Sequence, residues 1–165
     1  MEIRCTINGE VRTLQTTPSE RLLDLLRREG YLGVKHGCED GSCGACAVLL
    51  DGRAVTACTL LAAQADGHTI TTLEGIGTPK AMDALQRAFV AYGAIQCGYC
   101  TPGMIVAAKA LLERNPDPTE EEVREALAGV LCRCTGYVKP VQAVLAAARA
   151  LRGEGEIAWP GEPGL

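Results

Sequence analysis

Aromatic side chains are scarce: the 165-residue chain has one Phe, one Trp and four Tyr. Its core must therefore be built mostly from Ala, Leu and Val, which favours closely packed helices. Long apolar runs are also missing. None approaches the ~20 residues that a membrane-spanning helix needs, so no membrane span is expected. The start, Met1-Glu2-Ile3-Arg4-Cys5, has no basic region followed by an apolar stretch, the mark of a secretory signal. Arg27-Arg28 lies within a helical pattern, too far along to read as a twin-arginine signal. A cytoplasmic location is expected on these grounds. Excess positive charge is absent as well, and a net charge of −4 argues against nucleic acid or anionic lipid as partner. No Gly-x-Gly-x-x-Gly follows a strand. Gly75-Ile76-Gly77 runs into Thr78-Pro79 and reads as a linker. With no phosphate loop and no nucleophile–base pair, the chain is not expected to bind a dinucleotide or transform a substrate alone.

Cysteine, by contrast, is plentiful, at nine residues. Disulfides are rare in a reducing compartment, so this many thiols point to metal or redox chemistry.

The first half reads as β-rich. Glu2 to Ile7 alternates, Asn8-Gly9 is a hairpin turn, and Glu10 to Thr16 continues as a second strand. Thr17-Pro18-Ser19-Glu20 reads as a helix start with Thr17 as cap, leading into Leu22, Leu23, Leu25 and Leu26 and stopping at Gly30. A Gly- and Cys-rich loop covers 33–46. Asp51-Gly52 marks a second hairpin between Ala47–Leu50 and Arg53–Ala57, and His68 to Leu73 reads as a last strand. The second half reads as helical, with helices expected over Lys80–Tyr92, from Thr101, from the capping box at Thr119 through Leu127, and over Pro140–Leu151. The fold class is therefore α+β, a compact β-grasp arrangement followed by an all-α domain of four helices. The expected divisions are 1–76, 77–152 and a tail over 153–165.

Eight of the cysteines fall into two sets. Cys38, Cys43 and Cys46 form Cys-x4-Cys-x2-Cys, with Cys58 after eleven further residues. This is the plant-type spacing for a [2Fe–2S] cluster, whose elongated core needs four spread thiolates. Gly37, Gly41 and Gly44 allow the tight loop and bring N–H groups towards sulfur. A structural zinc ion would prefer two short knuckles, and only Cys43 and Cys46 form one. His36 reads as a loop residue. Cys97-x2-Cys100 and Cys132-x-Cys134 are separated by 31 residues and precede two expected helices, whose N-termini favour an anionic centre. Spacing alone leaves zinc open for this second set. Cys5 alternates with Ile3 and Ile7 and reads as a buried small hydrophobe.

Three stretches together carry a family resemblance. They are Gly37-Cys38 with Gly41-Ser42-Cys43-Gly44-Ala45-Cys46 and Ala57-Cys58, then Gln96-Cys97-Gly98-Tyr99-Cys100-Thr101-Pro102-Gly103-Met104, then Leu131-Cys132-Arg133-Cys134-Thr135-Gly136-Tyr137. In this order, over about residues 1–150, the chain resembles the small iron–sulfur subunit of the molybdenum hydroxylase family. That family includes xanthine dehydrogenase, aldehyde oxidoreductase, carbon monoxide dehydrogenase and 4-hydroxybenzoyl-CoA reductase. The resemblance implies a ferredoxin-like β-grasp domain and a helical domain, each with a [2Fe–2S] cluster. Cys38, Cys43, Cys46 and Cys58 would hold the cluster nearer FAD, and Cys97, Cys100, Cys132 and Cys134 the one nearer molybdenum. Gln96 and Cys134 match positions that contact the molybdopterin. The implied partners are a molybdenum-binding large subunit and an FAD-binding medium subunit, in a heterotrimer or a dimer of heterotrimers. The chain would relay electrons between the molybdenum site and FAD, the substrate being chosen by another chain. Glu39-Asp40 departs from the usual loop by placing two acids there. Two other readings are a stand-alone two-cluster ferredoxin, against which Gln96 and Cys134 speak, and a zinc-stabilised interaction module.

Overall fold

In the computed structural model, residues 1–157 are described. Strands β1 (Glu2–Ile7) and β2 (Glu10–Gln15) pair antiparallel around Asn8-Gly9. Both turn residues have positive φ, 51° and 85°, as the tight hairpin turn demands. β3 (Ala47–Leu50) and β4 (Arg53–Thr56) form the second hairpin around Asp51-Gly52. The short β5 (Thr69–Thr71) runs parallel to β1 and antiparallel to β3, giving the order β2-β1-β5-β3-β4. Alternation places Ile3, Cys5 and Ile7 on the inner face. Helix α1 (Leu22–Arg28) covers that face with Leu22, Leu23, Leu25 and Leu26, all fully buried.

The start of α1 differs from expectation. Thr17 does not cap it; the N-cap is Arg21, without a side-chain cap. Thr16 takes the Glu20 carboxylate instead, donating from Oγ1 at 2.7 Å, and Arg28 pairs with the other carboxylate oxygen. Ala62 N–H meanwhile donates to Glu20 C=O at 2.7 Å. Tertiary partners thus claim the groups that a capping box would use, and the helix starts later. Two 3-10 turns, Ala57–Thr59 and Ala62–Ala65, had no periodic signal in the sequence.

The strand expected over 68–73 is shorter than that, and its end becomes the single turn α2 (Leu73–Ile76). Four helices follow: α3 (Ala84–Ala91), α4 (Thr101–Arg114), α5 (Glu120–Ala128) and α6 (Val138–Leu151). Helix α3 starts later than Lys80 because Asp83 and Gln86 form its capping box, while Thr119 and Glu122 form the expected one on α5. Phe89, Leu85, Met104, Val123, Leu127 and Val144 fill the core between them. The halves meet where Ala47 and Leu49 of β3 pack on Val106 of α4. Beyond α6, Arg152 fastens the chain end by donating to Pro116 C=O at 2.7 Å. Of the expected tail over 153–165, residues 158–165 lie outside the described residues.

Candidate metal centres

The first thiol set lies on the loop between α1 and β3 and on the 3-10 turn after β4. Cys46 and Cys58 are buried, and Cys38 and Cys43 partly so. Gly41 and Gly44 take φ of 86° and 68°, which lets the loop fold back on itself. Cys43 N–H donates to Cys38 Sγ at 3.3 Å. The Cys58 thiol lies beside the Cys46 thiol and the Gly41 N–H. A Cβ on Gly37 would stand 2.7 Å from Cys43 Sγ, so the backbone passes close to sulfur here. The two acids of the loop part company. Glu39, at φ 67°, turns outward to Arg21 at 2.7 Å and His36 at 3.4 Å. Asp40 stays beside the Cys38 thiol and accepts from Ser42 N–H at 3.0 Å.

The second set brings together two distant stretches. Cys97 and Cys100 precede α4, and Cys100 is its N-cap. Cys132 and Cys134 lie on the loop before α6. Cys100 lies beside Cys132, and Cys97 beside Cys134. Thr135 serves Cys132 twice, with Oγ1 at 3.1 Å from the sulfur and N–H at 3.4 Å. Gln96 Nε2 donates to Cys134 C=O at 3.1 Å, so the two residues singled out together in the sequence are neighbours. Cys97 and Cys134 are exposed, Cys100 is buried and Cys132 lies between.

Proton affinities within each set are uneven. At Cys38 the Asp40 carboxylate pushes the pKa up, but donors from Asp40, Ser42 and Cys43 outweigh it and bring the pKa to about 7. Burial raises Cys132, and the Thr135 and Cys134 donors more than offset that, again giving about 7. Burial and the neighbouring Cys46 push Cys58 up to about 11. Burial and Cys132 push Cys100 up to about 12. Adjacent Cys97 raises Cys134. Thiols that raise one another cannot all ionise unless a cation sits among them.

Among the described residues, no three His, Cys, Asp or Glu side chains converge as one metal ion requires. Cys46 instead lies beside Cys58, Cys97 beside Cys134 and Cys100 beside Cys132, while Cys38 Sγ takes the Cys43 N–H. Four thiols per set, met by N–H and hydroxyl donors, fit an elongated anionic two-iron core. His36 contacts Glu39 and no sulfur. Cys5 packs beside Ile3 and Ile7, and burial raises its thiol. A cleft of about 700 Å³ between Asp51–Ala54 and α4 is lined by none of the eight thiols.

The two sets touch through backbone. Leu131 N–H donates to Cys43 C=O at 2.9 Å. A Cβ on Gly44 would overlap the Gly129 carbonyl oxygen, and one on Gly103 would lie 2.6 Å from Gly44 O. Tyr99 OH donates to His36 C=O beside this junction. Sequence reading did not foresee Asp40, Thr135 or Tyr99 as partners of these loops. Proximity to cysteine was the only signal, and it does not say where a side chain turns.

Known proteins resemble the chain at each of these levels. A model for a 2Fe-2S iron-sulfur cluster binding domain matches residues 5–71, and one for a [2Fe-2S] binding domain matches 72–145. The chain is 56% identical over 138 residues to the nicotinate dehydrogenase small FeS subunit of Eubacterium barkeri, covering 83% of this chain and 88% of that protein. The solved quinoline 2-oxidoreductase of Pseudomonas putida 86 superposes with a TM-score of 0.87 at 44% identity, covering 94% of this chain and 98% of that one. The aldehyde oxidoreductase of Desulfovibrio gigas superposes with a TM-score of 0.91 at 45% identity. There the match covers 94% of this chain and only 18% of a much longer one.

Proposed function

The chain belongs to the molybdenum hydroxylase family as one of its small iron–sulfur subunits, and we propose that its two sets of four cysteines hold a two-station electron relay. Cys38, Cys43, Cys46 and Cys58 would ligate one [2Fe–2S] cluster, and Cys97, Cys100, Cys132 and Cys134 the other. The chain carries two [2Fe–2S] binding domains and is an oxidoreductase subunit. The division would run 1–76 and 77–152, with 153–165 as a tail. Each cluster, when bound, supplies a one-electron carrier.

The chain's own residues do the rest. The loop N–H groups and Thr135 stabilise thiolate charge. The β3–α4 packing of Ala47 and Leu49 on Val106 fixes one domain against the other. The observation that carries the reading is the Leu131 N–H to Cys43 C=O bond, which joins the two ligand loops directly.

The second set opens to the surface at Cys97 and Cys134. Apolar Ile95, Tyr99, Leu131 and Val138, all at least 38% exposed, lie on or beside the two segments that carry this set. This face suits a partner subunit that covers it. Gln96 and Cys134 would there meet the molybdopterin held by a large subunit, with FAD on a medium subunit nearer the first set. Such a heterotrimer, single or doubled, would work in the cytoplasm. No helix among the described residues is long and apolar enough to cross a membrane.

Mild purification of the tagged chain tests the reading. Co-elution of larger subunits bearing molybdenum and flavin is expected. A lone 17.4 kDa red-brown species would favour a stand-alone ferredoxin, and a colourless zinc protein would sink both.

A further inference from the structure

The segment Val130-Leu131-Cys132 touches both thiol sets. Leu131 N–H reaches the Cys43 carbonyl at 2.9 Å, and Cys132 is the next residue in the chain. From one sulfur to the other the path is covalent except for that hydrogen bond. A single side chain clamps the segment from behind. The Tyr137 hydroxyl accepts the Cys132 N–H at 2.7 Å and donates to Val130 C=O at 3.1 Å. These two groups flank Leu131, and together they use the donor and one acceptor site of the phenol. Tyr137 stands at φ 67°, a left-handed conformation that is a genuine outlier for a bulky residue. Its N–H bonds Thr135 Oγ1 at 3.2 Å, and the ring packs against the helical core. Strain held this firmly at a site calls for a use.

We propose that Tyr137 is a positioning residue for electron transfer between the two centres, its hydroxyl holding Leu131 N–H on the Cys43 carbonyl. The inference rests on the reading that each thiol set holds a [2Fe–2S] cluster. One electron crosses the strap. One side loses it as the other gains it, with no bond formed and no proton moved.

The test uses the assembled complex, fully reduced with dithionite, and low-temperature electron paramagnetic resonance. In the natural complex the strap is expected to carry an exchange coupling that splits the signals of the two reduced centres. Tyr137→Phe should largely abolish this splitting while both integrated intensities stay at the natural level. Amide exchange of the Leu131 segment should rise about tenfold or more, the effect of the two hydrogen bonds lost with the phenol hydroxyl. If Tyr137→Phe loses the second signal, Gly103→Ala decides. Its added Cβ lies 2.6 Å from Gly44 O and 3.2 Å from Val130 Cγ1, and so parts the loops from the side of α4. Loss of splitting with both signals intact supports the proposal. Unchanged splitting in either variant that keeps both signals overturns it. A natural complex without two signals overturns the two-cluster reading itself.

Discussion

Gly44 and Gly52 share nearly the same backbone, with φ of 68° and 77°. Their surroundings differ completely. A Cβ at Gly52 meets nothing within 4 Å, whereas one at Gly44 overlaps the Gly129 carbonyl oxygen and lies 2.9 Å from Val130 Cα. Alanine in the left-handed region costs about 1–2 kcal/mol at either site. The loss of freedom in the unfolded chain is the same for both and cancels in the comparison. Gly44→Ala also forces two backbone segments apart, an overpacking penalty of about 1–3 kcal/mol. For a protein of this length that difference corresponds to a Tm for Gly44→Ala about 2–12 °C below that of Gly52→Ala. Thermal unfolding of the two cluster-loaded variants side by side measures it. Because the clash sits between the thiol-bearing loops, Gly44→Ala should also disturb both spectroscopic centres, while Gly52→Ala disturbs neither. Equal Tm values for the two variants would refute the idea that close approach at Gly44 docks the halves.

Cys43→Ser should remove the first cluster's spectrum and leave the second's, whereas Cys5→Ala should leave both; visible absorption and paramagnetic resonance check this, and joint loss in Cys43→Ser would contradict separate centres. Gln96→Ala should lower molybdenum retention in the complex more than iron content, as metal analysis will read. Glu122 has its carboxyl pKa lowered by the Thr119 N–H and then by the Thr119 hydroxyl. A depressed carboxylate contributes stability that is complete above its ordinary value of 4.5 and disappears as pH falls through the lowered value. The Tm gap between the natural protein and Glu122→Gln should therefore be widest near neutral pH and close in acid; a gap that widens in acid would reverse the assignment.

Much of this architecture was legible because local rules and tertiary packing agree. Asn8-Gly9 and Asp51-Gly52 specify their turns, and Thr119 with Glu122 caps α5 as its spacing says. The failures have a physical cause in each case. Thr17 and Pro18 carry helix-start chemistry, yet Glu20, on which the capping box depended, is held by Thr16 and by Arg28 at the far end of α1. Asp83 and Gln86 carried the same signal as Thr119 and Glu122, but the apolar pattern upstream suggested a longer helix. The 3-10 turn bearing Cys58 has no period to detect. The cysteine spacing grouped the thiols into two sets, and the fold brings Cys97 and Cys100 to Cys134 and Cys132 across 31 intervening residues. The Tyr137 clamp and the Leu131–Cys43 bond depend on left-handed backbone at a non-glycine residue and on contact between halves about ninety residues apart in the chain. Spacing rules do not encode either.

The central claim is that one short chain holds two separate one-electron stations. Spin quantitation of the dithionite-reduced protein, paired with iron and acid-labile sulfide analysis, tests it most directly. Two domains of the [2Fe–2S] type predict four iron and four sulfide per chain and two distinguishable signals of equal weight. Half that iron with a single signal, or stoichiometric zinc with none, would contradict the account.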